Sequence, residues 1–95
     1  MAQRVLLIED EPNIAEAIGF ILRRDGWEVM HLSGGDGAAE AARRLMPRLV
    51  ILDHMLPGMS GLDVLASLRG DPVAAALPVL MLTAKGLPRD REAAV

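Results

Sequence analysis

Three short apolar runs, each ended by a polar residue, set the pattern of this chain. Residues 5–8, 49–52 and 79–82 read VLLI, LVIL and VLML. Continuous runs of this length are typical of strands that are buried on both faces, as in a parallel sheet. Residues 27–32, WEVMHL, alternate more and predict a weaker strand nearer a sheet edge. The pattern therefore predicts four strands.

The intervals between the first three strands carry helical periodicity. After Pro12, which suits the first turn of a helix, apolar residues recur at helical spacing up to a basic pair at positions 23–24. Gly26 is the expected stop. A second, alanine-rich helix is expected to start from a cap at Asp36 and to run to about residue 46, where Pro47 ends it.

The third interval predicts a shorter helix. Ser60 and Asp63 resemble a capping box, and the helix that they open is expected to stop at Gly70. The alanines that follow are expected to add one helical turn before the last strand. Pro88 could start another helix near the end of the chain. Strands that alternate with helices in this way predict an α/β fold, a doubly wound parallel sheet with helices on both faces.

Composition narrows the class of protein. The chain has 95 residues, of which 52% are hydrophobic and 24% charged, so it is expected to form one ordered domain. It has no cysteine, which excludes disulfides and thiolate metal sites and favours a reducing cytoplasm. No apolar run has the length of a membrane span. A net charge of −3 and two aromatic residues disfavour direct nucleic-acid binding by this segment.

Polar residues follow three of the strands directly. Glu9 and Asp10 follow the first strand, Asp53 the third and Thr83 the fourth. In open parallel sheets the ligand site lies beyond the carboxyl ends of the strands, so three carboxylates are expected to converge at one rim if the first and third strands are neighbours. Like charges this close repel one another unless a cation neutralises them. Oxygen ligands alone suit a hard ion such as Mg²⁺, beside which Asp53 could act as a nucleophile toward a phosphoryl group.

Other interpretations of the same residues stay open at this point. Taken singly, acidic residues after a strand are usually solvated loop charges, and Thr83 is a strand-end hydroxyl. A metal-dependent phosphohydrolase with an aspartate nucleophile would carry a second Asp where this chain has Met55. A dinucleotide site is disfavoured, because no Gly-x-Gly-x-x-Gly follows the first strand and the turn there is acidic.

Taken together, residues 5–10, 79–84 and above all the stretch DHMLPGMSG at 53–61 resemble the receiver domain of two-component response regulators. The resemblance runs from about Arg4 to the end of the chain. It implies a flavodoxin-like sheet in the order 2-1-3-4. It also implies a phosphoryl-accepting signalling domain rather than an enzyme, with a sensor histidine kinase or a phosphotransfer protein as partner.

By position, the resemblance also assigns the site residues. Asp53 resembles the phospho-acceptor. Glu9 and Asp10 resemble the acidic pair that holds Mg²⁺, with Asp53 and the backbone carbonyl of Met55 as further ligands.

Two residues after the fourth strand complete that assignment. Thr83 resembles the switch hydroxyl that moves toward the phosphoryl group. The backbone N–H of Ala84 is expected to be a further contact.

The chain departs from the family pattern at its end. Residues 1–95 are expected to form a receiver domain that lacks the fifth strand, the lysine that pairs with the phosphoryl group, and the fifth helix; Lys85 is not assigned to that role. The fourth strand would then be an apolar sheet edge, through which self-association is expected. A phosphorylation-independent interaction module on the same fold is the alternative function.

Overall fold

The computed structural model describes residues 3–53 and 60–82, in which strands and helices alternate as predicted. In chain order the elements are β1 (Gln3–Ile8), α1 (Pro12–Arg24), β2 (Trp27–Leu32), α2 (Ala38–Leu45), β3 (Leu49–Asp53), α3 (Gly61–Arg69), a short 3₁₀ turn (Ala74–Ala76) and β4 (Val79–Leu82).

The four strands form one parallel sheet in the order β2-β1-β3-β4. Ile8 at the end of β1 lies opposite Leu32 of β2 on one side and Leu52 of β3 on the other. The more alternating strand, β2, lies at an edge, as its pattern predicts. The expected order 2-1-3-4 and the doubly wound parallel sheet are therefore confirmed.

Helices cover both faces of this sheet, which explains why β1 is apolar at positions 5–8 and β3 at positions 49–52. Alternate side chains of a strand point to opposite faces. One face packs against α2 and α3, and the other packs against α1. The first cluster includes Leu6, Ile8, Val50, Leu52, Ala41, Ala42, Val64 and Leu68, and the second includes Val5, Leu7, Ile51 and Ala15.

The predicted capping box of α3 is present. The backbone N–H of Asp63 donates to the Ser60 hydroxyl at 3.1 Å, and the Asp63 carboxylate accepts from the backbone N–H of Ser60 at 3.3 Å. Both bonds satisfy backbone donors that have no partner within the helix. The helix ends at Arg69, with Gly70 as its cap, as the sequence predicts.

The prediction that Asp36 caps α2 is wrong. The helix starts at Ala38, and its cap is Gly37, whose φ of 74° lies in the left-handed region. Glycine adopts this conformation without the steric cost that a side chain would add. The chain turns into the helix one residue after Asp36, and no side chain provides the cap.

A buried carboxylate ties the 3₁₀ turn to α2. Asp71 accepts hydrogen bonds from the backbone N–H groups of Val73 at 2.8 Å and Ala74 at 3.0 Å, and it pairs with Arg43 of α2 at 2.9 Å. These donors, Ala74 first, hold the pKa of Asp71 below its usual value. The contact fixes the segment that leads into β4, the strand beside β3.

Among the described residues, β4 is the last strand on its side of the sheet. Its Leu80 is 52% exposed. Self-association through this edge stays a prediction, which sedimentation at high concentration tests. Residues 83–95, which include the helix expected after Pro88, lie outside the described part. Within residues 3–53 and 60–82, no helix is both long enough and apolar enough to cross a bilayer.

Candidate metal centre

The sheet register brings the predicted acidic residues to one rim. Because Ile8 lies opposite Leu52, Glu9 and Asp53 follow on adjacent strands at the carboxyl edge of the sheet. Asp10 is the next residue after Glu9. Carboxylate oxygens of all three side chains lie within 4.8 Å of one another. The convergence expected from the strand ends is therefore present.

Two of the three carboxylates in this cluster are buried. Glu9 is 1% exposed and Asp53 is 3% exposed, although charged side chains are rarely buried to this extent unless they are paired or bind a metal. Three clustered carboxylates repel one another, and a divalent cation reverses that cost.

The donor set fits Mg²⁺. Oxygen ligands are those that this hard ion prefers, and two oxygens bound to one Mg²⁺ lie at most about 4.2 Å apart. The oxygens of Glu9, Asp10 and Asp53 all lie within 4.8 Å of one another, so they converge on a space of the size that one such ion and its waters occupy. The three side chains are therefore suited to hold the ion together.

Hydrogen bonds hold Glu9 in place at three of its atoms. Its backbone N–H donates to the carbonyl oxygen of Leu32 at 3.0 Å. Its carboxylate Oε2 accepts from the backbone N–H of Glu11 at 3.0 Å. Its backbone carbonyl oxygen lies 2.8 Å from Nε2 of His31. Glu9 thus enters the cluster from a backbone fixed on both sides.

Sequence reasoning missed two of these neighbours. Glu11 is the cap of α1, where its side chain accepts from the backbone N–H of Asn13 at 3.2 Å. Pro12 at the first helical position is the signal that could have placed the cap at residue 11. For His31 the sequence holds no comparable signal, because its contact depends on how β2 pairs with β1.

The other predicted site residues lie outside the described part of the chain. The register pairs Asp53 with Leu82, the residue before Thr83. Thr83, Ala84 and Met55 are themselves not described, so their roles stay predictions.

Comparison with known proteins gives the family. The family model for the response regulator receiver domain matches residues 5–95. The probable transcriptional regulatory protein TcrX of Mycobacterium tuberculosis is 49% identical over 87 residues, which cover 92% of this chain and 36% of that protein. The phosphate regulon transcriptional regulatory protein PhoB of Klebsiella pneumoniae is 38% identical over 91 residues, which cover 96% of this chain and 40% of that protein. The chain thus spans well under half the length of these relatives.

Solved structures of receiver domains share the fold. The receiver domain of the sensor histidine kinase PA1611 from Pseudomonas aeruginosa superposes with a TM-score of 0.86 at 30% identity, covering 97% of this chain and 75% of that one. That crystal structure has a magnesium ion coordinated in its active site cleft. The N-terminal domain of a response regulator receiver protein from Methanoculleus marisnigri gives a TM-score of 0.82 at 34% identity, covering 95% and 74% of the two chains.

Sequence motif, strand order and acidic rim agree with this match, which extends over nearly the whole chain. The chain therefore belongs to the response regulator receiver domain family, the signalling domains of two-component systems.

Proposed function

We propose that Asp53 accepts a phosphoryl group from a phosphohistidine of a sensor histidine kinase or a phosphotransfer protein. One observation carries this proposal: three carboxylates, two of them buried, have oxygens within 4.8 Å of one another at the carboxyl edge of a parallel sheet. Glu9, Asp10 and Asp53, with the backbone carbonyl of Met55, would hold Mg²⁺ there. The magnesium ion in the similar Pseudomonas receiver supports this assignment.

The chemistry is a nucleophilic displacement at phosphorus. A carboxylate oxygen of Asp53 forms the new O–P bond as the P–N bond of the phosphohistidine breaks, and the electron pair of that bond leaves on the imidazole nitrogen. When bound, Mg²⁺ would supply positive charge that offsets both the carboxylates and the incoming phosphoryl oxygens. Glu9 and Asp10 would hold that charge beside Asp53, and the hydrogen bonds of the Glu9 backbone keep Glu9 in place.

The product acts as a signal rather than as a step of metabolism. We expect the acyl phosphate to draw the Thr83 hydroxyl inward, with the Ala84 backbone N–H as a further contact, and so to shift an equilibrium between two conformations of a protein-interaction surface. The sequence match supports both residue assignments. Replacing Thr83 by alanine should leave phosphorylation intact. It should reduce the change in the amide NMR spectrum that phosphorylation causes.

Phosphorylation of variants tests the acceptor. The chain is incubated with Mg²⁺ and phosphoramidate, a small donor with a P–N bond, and the mass of the intact protein is measured. The wild type should gain one phosphoryl group, and Asp53→Asn should gain none. Asp25→Asn changes an exposed aspartate at the end of α1 and should be labelled as the wild type is. Equal labelling of Asp53→Asn and wild type would refute the assignment.

Two further measurements separate this function from the alternative of a phosphorylation-independent interaction module. Asp10→Ala should bind Mg²⁺ much more weakly than the wild type in a calorimetric titration. Mg²⁺ with beryllofluoride, a phosphoryl mimic, should change the amide NMR spectrum of the wild type. Magnesium affinity unaltered by Asp10→Ala would count against the acidic site, and a spectrum that beryllofluoride leaves unchanged would favour the interaction module.

A further inference from the structure

His31 contacts the acidic centre through the backbone rather than through a carboxylate. It lies near the end of β2, opposite Leu7 of β1, and follows Trp27 and Val29 on the sheet face that α1 covers. Its Nε2 atom lies 2.8 Å from the backbone carbonyl oxygen of Glu9. A carbonyl oxygen can only accept a hydrogen bond, so Nε2 is the donor and carries the hydrogen.

This bond lies at the junction between β1 and the two acidic residues, Glu9 and Asp10, that follow it. The bond from the Glu9 N–H to the Leu32 carbonyl continues the β1–β2 ladder one residue past the end of β1. The carbonyl of Glu9 and the N–H of Asp10 belong to one planar peptide unit. A donor that holds the Glu9 carbonyl therefore also sets the direction in which the chain enters Asp10.

We infer that His31 is a positioning residue for the magnesium site, because its Nε2–H holds the peptide that joins the two acidic ligands Glu9 and Asp10. This inference rests on the proposed function of those two residues. His31 orients the Glu9–Asp10 peptide for the metal by replacing the backbone partner that a longer β2 strand would supply. The bond from His31 to the Glu9 carbonyl does this through the backbone and uses no carboxylate oxygen.

Two substitutions separate the hydrogen bond from the bulk of the side chain. His31→Phe keeps a planar ring and removes the donor, whereas His31→Gln keeps an N–H donor on a side chain of similar reach. Loss of one such hydrogen bond to the backbone is expected to weaken Mg²⁺ binding by roughly threefold to tenfold. Glu28→Gln is the matched control, because Glu28 is exposed near the other end of β2, where it pairs with Arg4 at 3.0 Å.

Calorimetric titration with Mg²⁺ and urea unfolding without Mg²⁺ are measured for the wild type and the three variants. His31→Phe should bind Mg²⁺ more weakly by the stated factor, while His31→Gln stays within about twofold of the wild type. The control should bind as the wild type does. Wild-type affinity in His31→Phe, or equal loss in the Phe and Gln variants, would overturn the inference, since the donor would then not matter.

A measurement on the unmodified chain keeps the inference testable even if a variant does not fold. Nitrogen-15 NMR of the His31 ring should show hydrogen on Nε2, and a ring without hydrogen on that atom would overturn the inference. The two proposals also fail differently. A wild type that does not bind Mg²⁺ refutes the metal site itself, whereas a wild type that binds Mg²⁺ and is matched by His31→Phe refutes only the role of His31.

Discussion

Replacing Asp53 by asparagine should stabilise the protein without Mg²⁺ and weaken the stabilisation that Mg²⁺ gives. The change keeps the shape of a side chain that is 3% exposed and removes one of three clustered negative charges. At the 4.8 Å limit of the cluster, two unit charges repel by about 3.5 kcal/mol at an effective dielectric constant near 20, and by about 0.9 kcal/mol in water. The site lies at the rim of the sheet, between these limits. Asp53 lies beside both Glu9 and Asp10, so the substitution removes two such pairs, and we expect the free energy of unfolding to rise by at least about 2 kcal/mol.

Magnesium should reduce the difference in the free energy of unfolding between Asp53→Asn and the wild type. An ion that binds only the folded state adds about 2.7 kcal/mol to the free energy of unfolding when its concentration is a hundred times the dissociation constant. A variant that binds tenfold more weakly gains only about 1.4 kcal/mol at the same concentration. The advantage of Asp53→Asn over the wild type should therefore shrink by at least about 1.3 kcal/mol when Mg²⁺ is added.

Urea unfolding followed by circular dichroism, with and without Mg²⁺, measures both effects. Asp25→Asn, which removes an exposed charge at the end of α1, should respond to Mg²⁺ as the wild type does. Two results would contradict the reasoning. The first is a lower stability of Asp53→Asn than of the wild type without Mg²⁺, which would mean that charge repulsion is not the dominant effect. The second is an equal stabilisation of both proteins by Mg²⁺.

Two further predictions concern the scaffold. Hydrogen bonds, first that from the N–H of Ala74, lower the pKa of Asp71 in the folded state. The ionised carboxylate therefore stabilises the fold at pH values above the unfolded pKa of about 3.9. This stabilisation is lost as the pH falls through the lower folded pKa. Urea unfolding should therefore show the wild type losing more stability than Asp71→Asn on acidification below about pH 4, and parallel profiles would contradict this. Gly37 has a φ of 74°, so Gly37→Ala should lower the free energy of unfolding by about 1 to 2 kcal/mol. Gly34→Ala, whose added Cβ would meet no atom within 4 Å, should lower it clearly less. Equal losses in the two variants would contradict the argument from backbone conformation.

Local rules determined much of this protein from the sequence. Strands that are buried on both faces need apolar residues along their covered length, so β1 and β3 could be recognised from runs of four apolar residues. The same pattern located β4, although its Leu80 is 52% exposed. The capping box at Ser60 depends only on residues within one helical turn, and it is present as predicted. The same kind of rule failed for α2, because the left-handed backbone of Gly37 placed the start of the helix after Asp36.

The geometry of the acidic centre could not be predicted from local sequence patterns alone. That Glu9 and Asp53 follow strands is plain in the sequence, and parallel strands direct their ends to one rim. That their oxygens lie within 4.8 Å, together with one of Asp10, depends on β1 and β3 being neighbours in a register that pairs Ile8 with Leu52. Apolar runs do not encode which strands are neighbours, since any buried strand can pair with any other.

The contact between His31 and Glu9 was decided by tertiary structure alone. The sequence placed His31 in a strand near the sheet edge, and the pattern around it is that of any partly exposed strand. Its ring meets the Glu9 carbonyl because β2 pairs with β1 in a register that sets His31 opposite Leu7, two residues before Glu9. Residues that are distant in the chain meet only when sheet order and register are both set, and those are properties of the whole sheet rather than of any one segment.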